Sequence, residues 1–342
     1  MVLGFLKTHT EVRILEELDP MLETDCKALA YDEHLTCTII GKKNVDEAMG
    51  EYTPGAMLKI LRATWPDLFA PASGIKDEGS KEATQAVLPP RPAQLCPGCG
   101  RRSAFYAIKK ALRPDDITVA DIGCHTLGYL PPYSMGRVLL SMGHSTSTAA
   151  GLSLLNKERR VLCFLGDSTF FHAGLPGIDN AVYNNHTVLL VIMENGTTAM
   201  TGHQDHFGTG KNFSGATQKL SVRAALEGLG VKNIREVDTY KQNELTAMVK
   251  EALDEPGFKV IIARHPCMLK FTREARRKPG WSARRVKIDQ EICDRIHECV
   301  ERFACPSFQR DDEGVVIVSK DLCIGDGSCK QTCPVQAIVQ DE

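Results

Sequence analysis

Two oxygen-bearing side chains at the ends of apolar strands carry the most chemistry in this sequence. The run VLCFLGD ends in Asp167, inside a Gly166-Asp167-Ser168 turn, and the run TVLLVIMEN ends in Asn195, just before Gly196. If both strands lie in one parallel sheet, Asp167 and Asn195 emerge together at its carboxyl edge, where open α/β sheets bind ligands. A hard cation such as Mg2+ needs oxygens in octahedral array and takes only some of them from protein, the rest from phosphate and water. The pair therefore predicts a Mg2+ site that holds a diphosphate. An ordinary strand-helix-strand unit with Asp and Asn at its strand ends is the plainer alternative.

Other polar residues gather around these two in the sequence. MGHSTSTAAG runs into a helix and offers small residues and free backbone N–H groups at its start, which suits a diphosphate; Gly143 and His144 are the expected contacts. His172, just past Asp167, is a candidate acid or base, with packing in the helix start as the alternative. His203 and Gln204 in TTAMTGHQ are candidates for the substrate side, and composition does not separate them from nearby His206.

Thirteen cysteines in a chain of 342 residues form the second chemical signal. In a small secreted domain they would suggest disulfides, but this chain is long, shows no signal-peptide apolar core near its start, and has an odd count. Such cysteines more often bind metal. Cys96 and Cys99 form a C-x2-C turn that opens a helix, and Cys124 and Cys267 each follow a strand. All four positions can share the edge that carries Asp167 and Asn195, if the strand order allows it. Four thiolates fit zinc or an iron-sulfur cluster, so ligand type alone leaves both open. Cys26, Cys37 and Cys163 sit singly in apolar or helical runs and read as small core residues.

The elements that must position these groups are legible as an alternation. Between Leu95 and Met268 the β-rich runs ITVADIG, VLCFLGD, TVLLVIME and FKVIIARH alternate with helical runs SAFYAIKKAL, STSTAAGLSLL, SVRAALEGL and ELTAMVKEAL. This predicts an α/β fold with a doubly wound, mostly parallel sheet over residues 93–270. Residues 1–75 read as a small α/β piece, followed by a Pro-, Gly- and Ser-rich linker over 76–92. Residues 271–287 continue a basic stretch that, counted from Lys270, holds eight Lys or Arg against one Glu; a solvated linker and an anion or partner contact are both open. Residues 288–342 hold six of the cysteines and form a third unit. The net charge of -2 gives no global positive field for nucleic acid or a membrane surface, and no stretch reaches the roughly 18 apolar residues of a membrane span. A cytoplasmic protein with small-molecule and protein partners is expected.

The motifs CPGCGRR, DIGCHTLG, GDSTFFHAG, ENGTTAMTGHQ and ARHPC together resemble the 2-oxoacid:ferredoxin oxidoreductases, in particular the thiamine-diphosphate half of the indolepyruvate:ferredoxin oxidoreductase large subunits. The resemblance covers most of residues 10–342. It implies that Asp167, Asn195 and the backbone carbonyl of Thr197 hold Mg2+, that Gly166 and Ser168 belong to the cofactor motif, and that Cys96, Cys99, Cys124 and Cys267 hold a [4Fe-4S] cluster. A zinc knuckle at the C-x2-C pair is the competing assignment. The implied reaction is oxidative decarboxylation of an aryl 2-oxoacid to an acyl-CoA, with coenzyme A as co-substrate and electrons leaving one at a time to ferredoxin or another acceptor.

The carboxyl-terminal unit resembles a two-cluster ferredoxin, a small α+β module in which three cysteines of one repeat and a Cys-Pro of the other share a cluster. Each repeat lacks its second cysteine, with Ile296 and Asp326 in those places. Crossed ligation would gather Cys293, Cys299 and Cys333 around one cluster, and Cys305, Cys323 and Cys329 around the other. The first is then [3Fe-4S], or [4Fe-4S] with an outside ligand such as water or His297; Asp326 is the candidate fourth ligand of the second. A cluster-free remnant is the alternative. The family also uses a Glu from a pyrimidine-binding domain, for which the residues before position 93 offer no home. The expectation is a hetero-oligomer, with a partner subunit supplying that domain and a gamma-type subunit beside it. A non-oxidative thiamine-dependent decarboxylase and an inactive electron-transfer subunit are the competing functions.

Overall fold

The structure is a computed structural model that describes residues 1–69 and 92–341. All of the expected 76–92 linker except its last residue therefore lies outside the described residues. The described residues fall into two compact units, 1–69 and 92–341.

The smaller unit comprises helix α1 (Val2–Thr8), strand β1 (Glu11–Arg13), α2 (Met21–Asp32), β2 (Thr38–Ile40) and α3 (Pro54–Thr64). β1 and β2 pair in parallel, and Leu6, Val12, Ile14 and Cys26 form a small core. Cys26 is thus a packing residue. The start of α3 follows from its sequence, because Thr53 accepts the Ala56 N–H and Pro54 has no N–H to orphan.

In the larger unit, α4 (Gly100–Ala111), β3 (Ile117–Val119), α5 (Ser145–Leu155), β4 (Val161–Gly166), α6 (Asp167–Thr169), α7 (Leu175–Tyr183) and β5 (Val188–Glu194) follow in order. A π-helical turn over Phe170–Gly174 joins α6 to α7. Next come a short hairpin, β6 (Lys211–Asn212) with β7 (Gly215–Ala216), then α8 (Val222–Gly228), β8 (Asn233–Asp238), α9 (Gln242–Asp254), β9 (Phe258–Arg264) and α10 (Met268–Ala275). Five strands form one sheet in the order β3-β4-β5-β9-β8, every pair parallel.

β4 and β5 are buried along nearly their whole length, as expected of central parallel strands covered on both faces. One face packs Phe105, Ile108, Leu245 and Val249 from α4 and α9. The other packs Ala149, Ile178 and Leu226 from α5, α7 and α8, with Cys163 of β4 among them. The doubly wound sheet therefore has a core on each side. β8 was not apparent in the sequence, because NIREVD is too polar for a buried strand. It lies at the sheet edge, paired only with β9 and mostly half-buried, where polar side chains cost little.

The carboxyl-terminal module is small and built from two crossed repeats. β10 (Val286–Ile288) is followed by α11 (Glu298–Glu301), β11 (Phe308–Arg310), β12 (Val316–Val318) and β13 (Ile338–Gln340). β10 pairs with β13 and β11 with β12, both antiparallel. The two repeats turn alike: Cys293 N–H donates to Asp289 O at 3.0 Å, and Cys323 N–H to Ser319 O at 2.9 Å. Among the described residues, no helix is long and apolar enough to cross a membrane.

Candidate functional site: a cation edge beside a cysteine-lined cavity

Asp167 and Asn195 follow the adjacent strands β4 and β5, so the sheet brings them together at its carboxyl edge. Asp167 is 1% exposed. Its Oδ2 accepts from Asn195 N–H at 3.0 Å and from Gly196 N–H at 2.7 Å, while Oδ1 accepts the Ser168 N–H at 3.1 Å. His206 Nε2 stands 3.4 Å from Oδ2, a long contact. The Gly208 N–H donates to His206 Nδ1 at 3.1 Å, which leaves the proton on Nε2, facing the carboxylate. Burial opposes ionisation of Asp167, but His206, the nearby Arg101 charge and the Gly196 N–H hold its carboxyl below the usual range. The carboxylate is therefore ionised, with Oδ2 occupied and Oδ1 the freer oxygen.

The Asn195 carboxamide links this carboxylate to Arg101. One end lies 2.8 Å from the Thr197 carbonyl and 3.3 Å from Asp167 Oδ1; the other lies 2.6 and 3.3 Å from the Arg101 Nη atoms. With its nitrogen at the first end, the amide donates to both oxygens. With its oxygen there, three oxygens converge and need a cation between them. In that orientation these residues fit a hard cation such as Mg2+. His125, also beside Gly166, is 1% exposed and, among the described residues, has no side-chain hydrogen-bond partner on either ring nitrogen. Burial pushes its pKa down to about 3, so it is a neutral, unsatisfied imidazole facing the site. Nothing in the sequence had singled it out.

Gly143 and His144, the expected diphosphate contacts, have partners within the protein. The buried Asp121 carboxylate already caps the start of α5, accepting Gly143 N–H at 2.7 Å and Ser145 N–H at 2.9 Å. A helix N-terminus favours an anion, and the protein supplies its own. His144 Nε2 accepts the Leu140 N–H at 3.1 Å and Nδ1 lies 2.9 Å from Thr148 Oγ1, so both ring nitrogens are engaged structurally.

His172 is exposed within the π-helical turn, and its Nδ1–H donates to Ser168 O at 2.7 Å, leaving Nε2 as a free acceptor. Ser168 Oγ lies 3.3 Å from the same Nδ1 and accepts from Thr198 Oγ1 at 2.8 Å. Gln204 is exposed and bonded to Thr201 in its own loop. Of the two neighbouring histidines, His206 approaches Asp167, whereas His203 lines the adjoining cavity.

That cavity measures about 330 Å3 and is lined by Cys96, Cys99, Cys124 and Cys267 together with Arg101, Asn195, Met200 and His203. Four cysteines from three separate segments thus line one cavity next to Asn195. Burial raises the Cys96 thiol pKa, with Cys99, Cys124 and Cys267 adding to the effect; burial also raises that of Cys124. Among the described residues, no three His, Cys, Asp or Glu side chains converge as a single metal ion would require.

In the carboxyl-terminal module the structure gathers two further groups. Burial raises the Cys299 pKa to about 11, with Cys293 and Cys333 near enough to contribute. Burial also raises that of Cys329, whose neighbours are Asp326, Cys305 and Cys323. The Asp326 carboxylate accepts from Ser328 N–H at 3.0 Å and from the Ser328 hydroxyl. Ile296 points to solvent, 59% exposed, and His297 donates its Nε2–H to Gly314 O at 2.8 Å.

Known proteins resemble this chain in two regions and over its length. Residues 121–263 match the C-terminal TPP binding domain of thiamine pyrophosphate enzymes, and residues 316–339 match the 4Fe-4S binding domain. The chain is 36% identical to indolepyruvate oxidoreductase subunit IorA of Archaeoglobus fulgidus, covering 99% of this chain and 53% of that one. To the same subunit of Pyrococcus horikoshii it is 35% identical, covering 97% and 53%. It spans about half the length of the curated relatives it matches. A solved 2-oxoglutarate:ferredoxin oxidoreductase from Magnetococcus marinus aligns with 55% of this chain and 71% of its own, at 17% identity and a TM-score of 0.48.

The sheet, its carboxyl-edge site and the appended module define a thiamine-diphosphate-binding domain joined to a 4Fe-4S-binding domain. Within that class, the chain is similar over nearly its whole length to about half of the indolepyruvate oxidoreductase IorA subunits.

Proposed function

We propose that this chain is the cofactor-binding and electron-accepting part of a thiamine-diphosphate-dependent oxidoreductase that converts an aryl 2-oxoacid to an acyl-CoA. The observation that carries this reading is the single cavity in which Asn195 of the cation edge faces Cys96, Cys99, Cys124 and Cys267. A non-oxidative decarboxylase would have no use for four thiols beside its cofactor.

In this reading Asp167 Oδ1, the Asn195 carboxamide oxygen and the Thr197 carbonyl hold Mg2+, with Gly166 and Ser168 flanking the diphosphate. Thiamine diphosphate, when bound, supplies the carbanion chemistry of 2-oxoacid decarboxylation. Asp167 stays ionised in its buried position, and His206 fixes which of its oxygens faces the cation. His172 Nε2 is a proton acceptor on the solvent side, able to exchange a proton with substrate. His203 and Met200 shape the wall between cofactor and thiols.

The four cavity cysteines are assigned to a [4Fe-4S] cluster. A single tetrahedral zinc with bonds of about 2.3 Å would draw its thiolates to within roughly 4 Å of one another, whereas a cluster spreads them over several irons. In the module, Cys305, Cys323 and Cys329 with Asp326 are assigned to one cluster, and Cys293, Cys299 and Cys333 to a [3Fe-4S] or incomplete [4Fe-4S] cluster. The exposure of Ile296 supports a missing fourth ligand there. Ferredoxin or another carrier would take the electrons. A partner subunit would contribute the activating Glu, beside a gamma-type subunit, in a hetero-oligomer.

The test is anaerobic co-purification with partner subunits, iron and EPR analysis, and assay of a panel of 2-oxoacids with coenzyme A. Acyl-CoA formation coupled to dye reduction is expected, with EPR signals from more than one cluster. Carbon dioxide release without dye reduction would reject the oxidative reading.

A further inference from the structure

Arg102 is the most deeply buried arginine in the larger unit, at 2% exposure. Its Nη1 donates to Phe303 O at 3.1 Å and to Ala304 O, and its Nη2 donates to Leu95 O. Nε has no partner. Among the described residues, the guanidinium meets these carbonyls and no carboxylate. A buried cation without an anion is costly, and carbonyl dipoles offset only part of that.

The positions of those carbonyls suggest what the missing anion is. Leu95 immediately precedes Cys96 of the central group, and Phe303-Ala304 immediately precede Cys305 of the module. Tyr133 reinforces the junction, its hydroxyl donating to Phe303 O at 2.8 Å. The loops of the two groups also touch directly: a side chain atom on Gly98 would meet Ile324 and Asp326, and Tyr240 donates its hydroxyl to Gly98 O at 2.6 Å.

We propose that Arg102 is a positioning residue that ties the central cysteine group to the Cys305 group and raises the reduction potential of the clusters flanking it. This rests on the reading that both groups hold iron-sulfur clusters. An electron added to either group adds one negative charge and needs no proton. A guanidinium that stays cationic stabilises that charge, and net charge and hydrogen bonding are established controls on cluster potential. Its three anchoring carbonyls hold the two ligand loops in register. The adjacent Arg101 faces the other way, toward Asn195, so the RR pair after Cys99 places one cation on each side of the central group.

The experiment uses the anaerobically purified complex with its partner subunits, as wild type, R102Q and R102K, with iron and sulfide analysis and EPR-monitored potentiometric titration. For R102Q, the one-electron reduction equilibrium of a flanking cluster should fall roughly tenfold, about 59 mV, while R102K should keep most of the wild-type value. R102Q with full iron content and an unshifted potential would overturn the proposal, as would R102K shifting as far as R102Q. Should R102Q lose its iron, R102K decides alone: a potential near wild type supports Arg102 as the charge, and a drop of tenfold or more in the equilibrium refutes it. Wild-type protein lacking iron at either group would instead defeat the cluster reading, before any variant is compared.

Discussion

Asp167 and the module cysteines Cys305, Cys323 and Cys329 are all buried, yet they stand differently toward their proposed metals. Asp167 is ionised already, with backbone N–H groups of Asn195 and Gly196 on one oxygen and His206 beside it. The thiols of Cys299 and Cys329 are instead pushed toward the neutral form by burial, and Cys305, Cys323 and Cys329 belong to the hydrophobic core. The proposed cation edge is preorganised by the sheet that carries it. The module has only short two-stranded pairings of its own, so its folding should depend on whatever its cysteines hold. Ligand binding should therefore change the first site's occupancy and the second site's folding.

Iron removal should give the largest effect and most directly test that contrast. Anaerobic chelation should raise amide exchange across residues 286–341, lowering local opening free energies by several kcal/mol. β4 and β5 should keep their protection; equal loss in both regions would erase the distinction. Next in size is D167N, which removes the cation ligand and leaves its donors facing a neutral amide. Thiamine diphosphate and Mg2+ affinity should fall by about 100-fold or more by calorimetry on the complex, since even partners of ligands cost 10- to 100-fold. Wild-type affinity in D167N would move the cation site elsewhere.

H206A should weaken Mg2+ affinity by about tenfold, with H206Q recovering part through its amide N–H. If both variants bind like wild type, the sheet alone orients Asp167. The smallest effect is expected at Lys259, at the amino end of β9, a buried charge far from any proposed ligand. Burial lowers its pKa from 10.5 to about 8, despite Glu255 nearby and the hydrogen bond from Nζ to Glu255 O at 2.7 Å. Because the unfolded chain holds this proton more tightly, the contribution of Lys259 to stability should rise between pH 8 and 10.5. K259M should flatten that rise and be neutral to about 2 kcal/mol stabilising at pH 7. Strong destabilisation by K259M would mean that buried charge here is structural without any ligand.

The strands that end in Asp167 and Asn195 were legible because continuous apolar runs closed by a polar residue report a buried parallel strand directly. The cysteine spacing was equally legible, since the chemistry of thiols is local to the residue. His206 was not separable from His203, because which histidine reaches Asp167 depends on how the loop after β5 folds back. Asp121 escaped notice for a similar reason. Its partners, Gly143 and Ser145, lie beyond an intervening loop, and only the packing of α5 against β3 and β4 shows that the helix start is already capped.

By itself the sequence determined the residue types, their strand-end placement and the two cysteine-bearing regions, because hydrophobic periodicity and ligand chemistry are properties of short segments. Only the tertiary structure decided which of them meet. The order β3-β4-β5-β9-β8 brings Cys124, Asn195 and Cys267 to one cavity with Cys96 and Cys99, and the docking of the module on α4 sets Arg102 between two cysteine groups. Such contacts join residues far apart in the chain, so they depend on how separate elements pack and not on any local pattern.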